Sequence, residues 1–474
     1  MGVTETVARF VATATLDSFP SAVIERARLC LLDTLGVAVA GAETTAARLT
    51  RGYARRVFLP GPATVLGTGW GLRAEGAALA NGVSASALDM DDGHRVALAP
   101  RGEDNMVGHC AGHPGAVVIS AALAAAEEAG ATGATFLASI LVAYEVGIRI
   151  SAARRIPIVL ENATGNWGAY AAALAAAKVH ALDPRAIMEA LGLAGSFGPN
   201  PQARVTFRSM PMVKESIGWS VVSGLASTAL AAQGFTGLET ILDDPRAFSP
   251  TLFGDLGHRH LILQGYFKPY AACRMAHAAV DAVLRLLDKH GLRQSEVREV
   301  VVRTSHKGTM LDNPRPSSLE GAQYSVPFCI AVALHTGAID PETLHEGMLD
   351  DPVIRAMADR VRLVLDPVQA ERPELERGFP VKNRAEVVVR TRGAEHVECV
   401  EHPRGDPENP LTPQEVREKF RRLTRRCWDP ERTAAIMATV ERLEQVTHIA
   451  ELSWLLPPNL ATATPCPANG KGKK

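Results

Sequence analysis

The stretch Ala74–His94, AEGAALANGVSASALDMDDGH, decides how the rest of the chain is read. Up to Leu88 it is built almost wholly of Ala, Gly, Ser, Leu and Val. Small side chains on every side suit a helix packed against neighbours all round, as in the interior of a large helical domain. Three acids then follow, Asp89, Asp91 and Asp92, at the negative end of that helix. Carboxylates are unfavourable there unless something compensates them. Cations, a metal ion or a proton-transfer role would do so; the alternative is a solvated acidic loop.

The same Ala-rich character extends outward in both directions. Pro20–Ala40, Gly115–Ala129, Thr135–Ala153, Gly168–His180 and Ile217–Gln233 place apolar residues at three- and four-residue spacing, which predicts helices. Near Tyr266 the pattern changes. VREVVVRT (Val297–Thr304), VRLVL (Val361–Leu365) and AEVVVRTR (Ala385–Arg392) predict strands, with HVECVEH (His396–His402) returning through a turn at Arg392 and Gly393. Helices are predicted between them at His277–Lys289 and Val326–His335, and again at Pro413–Arg425 and Pro430–Leu443. The expectation is a mainly α protein with an inserted α+β domain. Residues 1–265 form a large helical domain, 266–404 a smaller α+β lid, 405–458 a return to the helical domain, and 459–474 a disordered Pro-rich and basic tail. A cleft between two such domains is a common place for a small-molecule site.

Composition narrows the function. Lys plus Arg total 50 and Asp plus Glu 51 in 474 residues, so no basic excess favours nucleic acid. Seven scattered cysteines without a CxxC pair read as reduced thiols in a cytoplasmic protein. The N-terminal residues lack the pattern of a secretory signal, and Gly115–Ala126, taken as the most apolar stretch, is too short to span a bilayer. No phosphate loop, no GxGxxG after a strand and no GxSxG elbow occurs.

Chemistry-bearing residues gather in five segments. The acidic run is one. In GHCAGHPG (Gly108–Gly115), His113 precedes Pro114 at a predicted helix start, where free N–H groups attract an anion and the positive dipole end would lower the imidazole pKa. His109, Cys110 and His113 could instead approach Zn²⁺, but no fourth ligand completes a site. In MVKESIG (Met212–Gly218), Lys214 opens an apolar helix, poorly placed unless it meets an anion or snorkels to solvent. In KPYAACRMAHAAVD (Lys268–Asp281), Lys268, Arg274 and His277 would suit a polycarboxylate and a proton transfer, or start a solvated amphipathic helix. In GAQYSVPFCIAVAL (Gly321–Leu334), Tyr324, Ser325 and Phe328 read as a pocket wall or as core.

Taken in order, ANG with ALDMDD, HPG, VKESIG, KPYAACRMAHAAVD, YSVPFCIAVAL and the late GDPENPLTPQEVREKF resemble the MmgE/PrpD family over about Val7–Glu451. That family includes 2-methylcitrate dehydratases, cis-aconitate decarboxylases and iminodisuccinate epimerases. The resemblance implies a cofactor-independent homodimeric enzyme with its site between a helical domain and an α+β lid. It assigns catalytic roles to Asp89, His113, Lys214 and His277, and no metal. Lys268, Arg274, Asp92, Gly93, Asn162, Tyr324, Ser325 and Phe328 are then the candidates for binding a small di- or tricarboxylate. The chain departs from the family pattern at specific places. Asn162 or a neighbour replaces a histidine, Ser86 another, Gly93 a threonine, and Phe328 a tyrosine of the decarboxylase branch. Roughly His94–Gly112 is an insertion carrying Arg95, Arg101 and His109. These departures count against decarboxylation and also against standard methylcitrate dehydration; the expectation is a hydro-lyase like 2-methylcitrate dehydratase, with epimerase, decarboxylase or a non-catalytic polycarboxylate binder as alternatives. In each enzymatic case His277 or His113 moves a proton α to a carboxylate, Lys214 with Lys268 or Arg274 neutralises charge, and Asp89 orients a histidine.

Overall fold

The computed structural model describes residues 1–95, 112–155, 163–200, 209–370 and 383–458. The expected tail at 459–474 lies outside them, as do Asn162, Arg101, His109 and Cys110.

The architecture is mainly helical with a smaller α+β region. The large part is built on Val3–Thr13, Ser21–Gly41, Thr45–Val57, Ala74–Ala87, Pro114–Ala129, Gly133–Ala153, Gly165–Val179, Pro184–Phe197 and Ile217–Ala231. Local chemistry sets their ends. Thr44, Thr132 and Asp183 accept N-terminal amides of the helices that follow them, and Gly130 stops Pro114–Ala129 in the left-handed region at φ 62°. Small residues let these helices pack at close range: a Cβ on Gly224 would lie 2.5 Å from the Ala169 carbonyl oxygen, and one on Gly168 2.5 Å from Ser220 Oγ.

Gly133–Ala153 is long and apolar enough to cross a bilayer, more so than the stretch at Gly115–Ala126, but protein surrounds it on all sides. Its two charges explain its place. Glu145 accepts the Leu261 and Ile262 amides, and the buried Arg149 donates to the Leu252 carbonyl (2.8 Å) and to Asp255 (2.6 Å). Both polar groups are spent on protein, which a lipid-facing helix could not arrange. The sequence reading lacked helices at Thr45–Val57 and Pro184–Phe197, and a two-stranded sheet pairing Pro60–Thr64 with Gly71–Leu72. Thr45–Val57 carries four arginines, which masked its apolar face.

The α+β region holds one four-stranded sheet in the order Val361–Leu365, Glu299–Thr304, Ala385–Arg390, Glu395–Val400. The first pair is parallel, with Val300 opposite Val361; the others are antiparallel, with Val302 opposite Val387 and Val388 opposite Val397. Val300, Val302, Val387 and Val389 line the buried face, which helix Arg274–His290 covers. Two hydrophobic cores result. One joins residues from Val7 to Phe267 with Leu411 to Leu456; the other runs from Ala272 to Val400. Met210 belongs to the second core although its neighbours in sequence serve the first. The segment carrying Lys214 therefore lies where the cores meet.

Candidate active site

The acidic run turns inward rather than out to solvent. Asp89, Asp91 and Asp92 are each no more than 2% exposed. Helix Ala74–Ala87 ends at Leu88, and Asp89 takes a left-handed backbone at φ 51°. Lys214 and Ser216, ahead of helix Ile217–Ala231, are left-handed too, at φ 43° and 60°. A lysine rarely adopts that conformation, and such strain persists only where the surroundings impose it.

Those surroundings are an array of ionic contacts. Lys268 Nζ lies 2.5 Å from Asp89 Oδ1, 3.4 Å from His113 Nδ1 and 3.9 Å from Asp91 Oδ1. Lys214 Nζ lies 3.9 Å from Asp89 Oδ2 and donates to the Ser86 carbonyl (2.8 Å), the Ala87 carbonyl (3.3 Å) and Gln323 Oε1 (2.7 Å). Lys214 thus caps, from another element, the negative end of the helix that delivers Asp89. It is buried and does not snorkel. His113 Nδ1 lies 3.0 Å from both oxygens of Asp91, while its Nε2 lies 3.9 Å from Asp89 and 3.7 Å from Glu215. Asp91 therefore orients this imidazole, while Asp89 lies farther off on the side of the other ring nitrogen. Glu215 is fixed in turn by the amide and hydroxyl of Thr164, whose oxygen accepts the His113 amide.

Burial works against charge throughout, and the partners decide the sign. It opposes ionised Asp89, but Lys268, Lys214 and His113 hold that carboxyl well below the usual carboxylate range. Asp91 is likewise lowered, by His113 and Lys268. Lys268 is raised by Asp89 and Asp91 against its burial, whereas burial lowers Lys214, whose closest partners are neutral. His113 is raised: Asp91 and Glu215 overcome both burial and Lys268. This reverses the lowering expected from the helix dipole, because a carboxylate in contact outweighs a partial charge. His277 is pushed down to about 4 by burial. Its Nε2 donates to the Ala272 carbonyl at 2.9 Å, which leaves Nδ1 as the basic nitrogen of a neutral ring. One imidazole is thus biased toward the charged form and the other held neutral.

Asp89, Asp91 and His113 offer ligand atoms within 4.8 Å of one another, a grouping that could hold a metal ion. The Lys268 ammonium already stands among them, so the chain supplies its own cation there.

The remaining sequence candidates divide. Tyr324 is brought in: its ring lies 5.8 Å from Lys214 Nζ, and Asp89 is its main charged neighbour. Asp92 lies behind the run, accepting from Tyr144 at 3.0 Å, and is pushed up to about 7 by burial, then by Asp33 and Asp91. Arg274 is held by Asp406 through two hydrogen bonds, 2.9 and 2.5 Å. The Gly93 amide and carbonyl are both spent on the backbone of Tyr266. Ser325 caps helix Val326–Thr336: its hydroxyl donates to the Asn313 carbonyl and accepts the Phe328 amide. Phe328 is buried in the core of the α+β region. Sequence reasoning missed Gln323, Glu215 and Thr164. Glu215 follows Lys214 directly, and Gln323 precedes Tyr324, so nearness to singled-out residues was the one available signal.

Residues 5–259 match the MmgE/PrpD N-terminal domain and residues 270–445 the MmgE/PrpD C-terminal domain. The chain is similar to a cis-aconitate decarboxylase of Aspergillus terreus (strain NIH 2624 / FGSC A1156), 26% identical over 96% of this chain and 96% of that protein. It is also similar to the cis-aconitate decarboxylases of Homo sapiens, 23% identical over 98% and 97%, and of Mus musculus, 24% identical over 96% and 93%.

Proposed function

Because the chain belongs to the MmgE/PrpD family, we propose that it is a lyase that moves a proton α to a carboxylate of a small di- or tricarboxylate, with decarboxylation of an unsaturated tricarboxylate as the first reading. The observation that carries it is the convergence of Lys268, Lys214 and His113 on Asp89 from four separate parts of the sequence. Two ammonium groups and an imidazolium, buried together and balanced in the free enzyme by Asp89, Asp91 and Glu215, are the groups that would meet the charge of a polycarboxylate and of the enediolate formed from it. In decarboxylation the bond to the departing carboxylate breaks, its electron pair moves through the adjacent double bond toward another carboxylate, and the His113 imidazolium delivers the proton. The named activity of the relatives supports this order of preference. Phe328 and Tyr324 share one buried core, in which the Tyr324 phenol has Asp89 as its main charged neighbour.

A hydro-lyase of the 2-methylcitrate dehydratase type is the second reading. Dehydration needs a base for the α-proton and an acid for the leaving hydroxyl, and the neutral His277 and the charged His113 supply that division. No metal or cofactor takes part in either scheme.

The test is turnover of cis-aconitate and of 2-methylcitrate, with CO₂ release and alkene absorbance followed separately. CO₂ released in equal amount with an unsaturated dicarboxylate supports the first reading. Loss of water from 2-methylcitrate without CO₂ supports the second. Neither reaction, and no solvent deuterium entering any polycarboxylate, removes both. The proposal includes a homodimer, supported by the exposed stripe Leu49, Tyr53 and Val57 beside Trp219. Sedimentation at one protomer's mass would refute that part.

A further inference from the structure

Helix Pro413–Thr424 follows the α+β region in sequence but packs on helix Ser21–Gly41 of the first core. Its start is fixed by Pro413 and by a reciprocal pair of contacts between Thr412 and Glu415. Its buried face carries Val416, Phe420 and Leu423, and in their midst Lys419, only 5% exposed. A lysine on the apolar face of a helix needs acceptors. One is Asp33 Oδ1, at 2.7 Å. The other is the main-chain carbonyl of Met90, at 2.5 Å. Met90 stands between Asp89, which meets both active-site lysines, and Asp91, which holds His113. Its side chain packs in a small cluster with Leu423 of the same helix, and with Val37, Leu88 and Ala271. One helix therefore grips Met90 by the carbonyl and by the side chain.

We propose that Lys419 is a positioning residue for the active site: by fixing the Met90 carbonyl it sets the peptide plane that leads into Asp91, and so the carboxylate that orients His113. The peptide between Met90 and Asp91 is planar, so rotation about the Met90 Cα–C bond moves its carbonyl and the Asp91 Cα together. The run has reason to move, since Asp89 is held in the left-handed region, and strained backbone relaxes when its restraints are removed. Neutralising Asp33 would require only the 2.7 Å contact; the bond to Met90 is what ties this helix to the chemistry. Lys419 thus comes from the matched C-terminal domain, residues 270–445, and reaches a run that lies in the N-terminal one, residues 5–259. This inference rests on the reading of His113 as the proton donor, but its test does not need the substrate.

Lys419→Met alone would strand Asp33 in the core, so the decisive protein is the full-length double variant Asp33→Asn/Lys419→Met, from which an acid and a base leave together. The readout is the titration of His113, followed through its ring Cε1–H signal by NMR, beside kcat and KM. Around His113 stand Asp91, Asp89, Glu215 and Lys268, and all four remain in the double variant. Because an acid and a base leave together, the net charge around the ring is unchanged, whereas loss of Asp91's grip lowers the His113 pKa. The expected result is a melting temperature near wild type, a lowered His113 pKa, and kcat down by roughly tenfold or more with KM within about threefold. A double variant that titrates His113 as wild type does would overturn the proposal, whatever its turnover. If wild type turns over no polycarboxylate, the functional reading fails and the titration alone decides the role of Lys419.

Discussion

The Lys268 ammonium lies 2.5 Å from Asp89 Oδ1, with each side chain 2% exposed. Burial disfavours both charges, and each is held chiefly by the other, with Lys214 and His113 adding to the hold on Asp89 and Asp91 to that on Lys268. Removing one partner of such a pair costs about 3–5 kcal/mol, because the other is left as an uncompensated buried charge. Lys268→Met should therefore lower stability by that order and abolish turnover. Asp89→Asn/Lys268→Met should recover much of the stability and none of the turnover. Chemical denaturation of the three proteins measures this; a double variant no more stable than Lys268→Met would show that the pair is not what holds the run in place.

Two buried groups give stability opposite slopes with pH over nearly the same window. His277 titrates at about 4 when folded against 6.5 when unfolded, so the unfolded chain binds more protons between those values and stability rises with pH. Asp92 titrates at about 7 against 3.8, so the folded chain binds more and stability falls with rising pH. Each variant unmasks the other group. Relative to wild type, His277→Asn should lose up to about 3 kcal/mol of stability as pH rises from 4 to 6.5, and Asp92→Asn should gain up to about 4 kcal/mol from 3.8 to 7. Urea midpoints across pH 4–7 report both. Parallel curves for wild type and His277→Asn would mean that this imidazole is not held neutral.

Why some of the site was legible and some not follows from how each residue reveals itself. Asp89 and Lys214 stood out because each carries the wrong charge for its helix end, a conflict visible in one dimension. The structure resolves the two conflicts against each other: Lys214 covers the negative end of Ala74–Ala87 and lies 3.9 Å from Asp89. The strands were legible because runs such as VREVVVRT have no other use, and they form at Glu299–Thr304 with trimmed ends. Gln323, Glu215 and Lys419 gave no such sign. Each sits in a helix or turn of ordinary composition, and its role depends on a neighbour more than 100 residues away in sequence for Lys419 and Gln323, or on a turn geometry that spacing does not encode for Glu215. The sign of the His113 shift was misread for the same reason: the helix start is local and visible, while Asp91 and Glu215 arrive by tertiary contact.

Lys214 and Lys268 should respond differently to the same substitution. Lys268 compensates a carboxylate in contact, but Lys214 donates to carbonyls and an amide and meets Asp89 only at 3.9 Å. Lys214→Met leaves neutral acceptors unpaired, a loss of about 1–3 kcal/mol, less than for Lys268→Met. Turnover should fall by about 10²–10³ all the same, since the field at the site weakens where charge develops. Calorimetry and steady-state kinetics on both variants check the contrast. A Lys214→Met protein that melts lower than Lys268→Met, or that keeps wild-type turnover, would refute the assignment.

Gly93 stands where the family pattern has threonine, and restoring that threonine should harm the protein. A Cβ at this position would lie 2.2 Å from Tyr266 Cζ and 2.3 Å from its hydroxyl oxygen, closer than any relaxed contact. The ring cannot yield freely, because the Tyr266 backbone exchanges two hydrogen bonds with Gly93 and its face lies 5.4 Å from the Arg274 guanidinium. In this chain the Tyr266 ring occupies the space that a side chain at position 93 would take. Gly93→Thr alone should cost about 1–3 kcal/mol by overpacking and displace the acidic run it ends, lowering turnover. Gly93→Thr/Tyr266→Ala should regain part of the loss, because the clash is removed with the ring. Thermal melts and kinetics of the pair test this, and a single variant as stable and as active as wild type would show that the backbone relaxes around the added atoms and that Tyr266 does not select glycine.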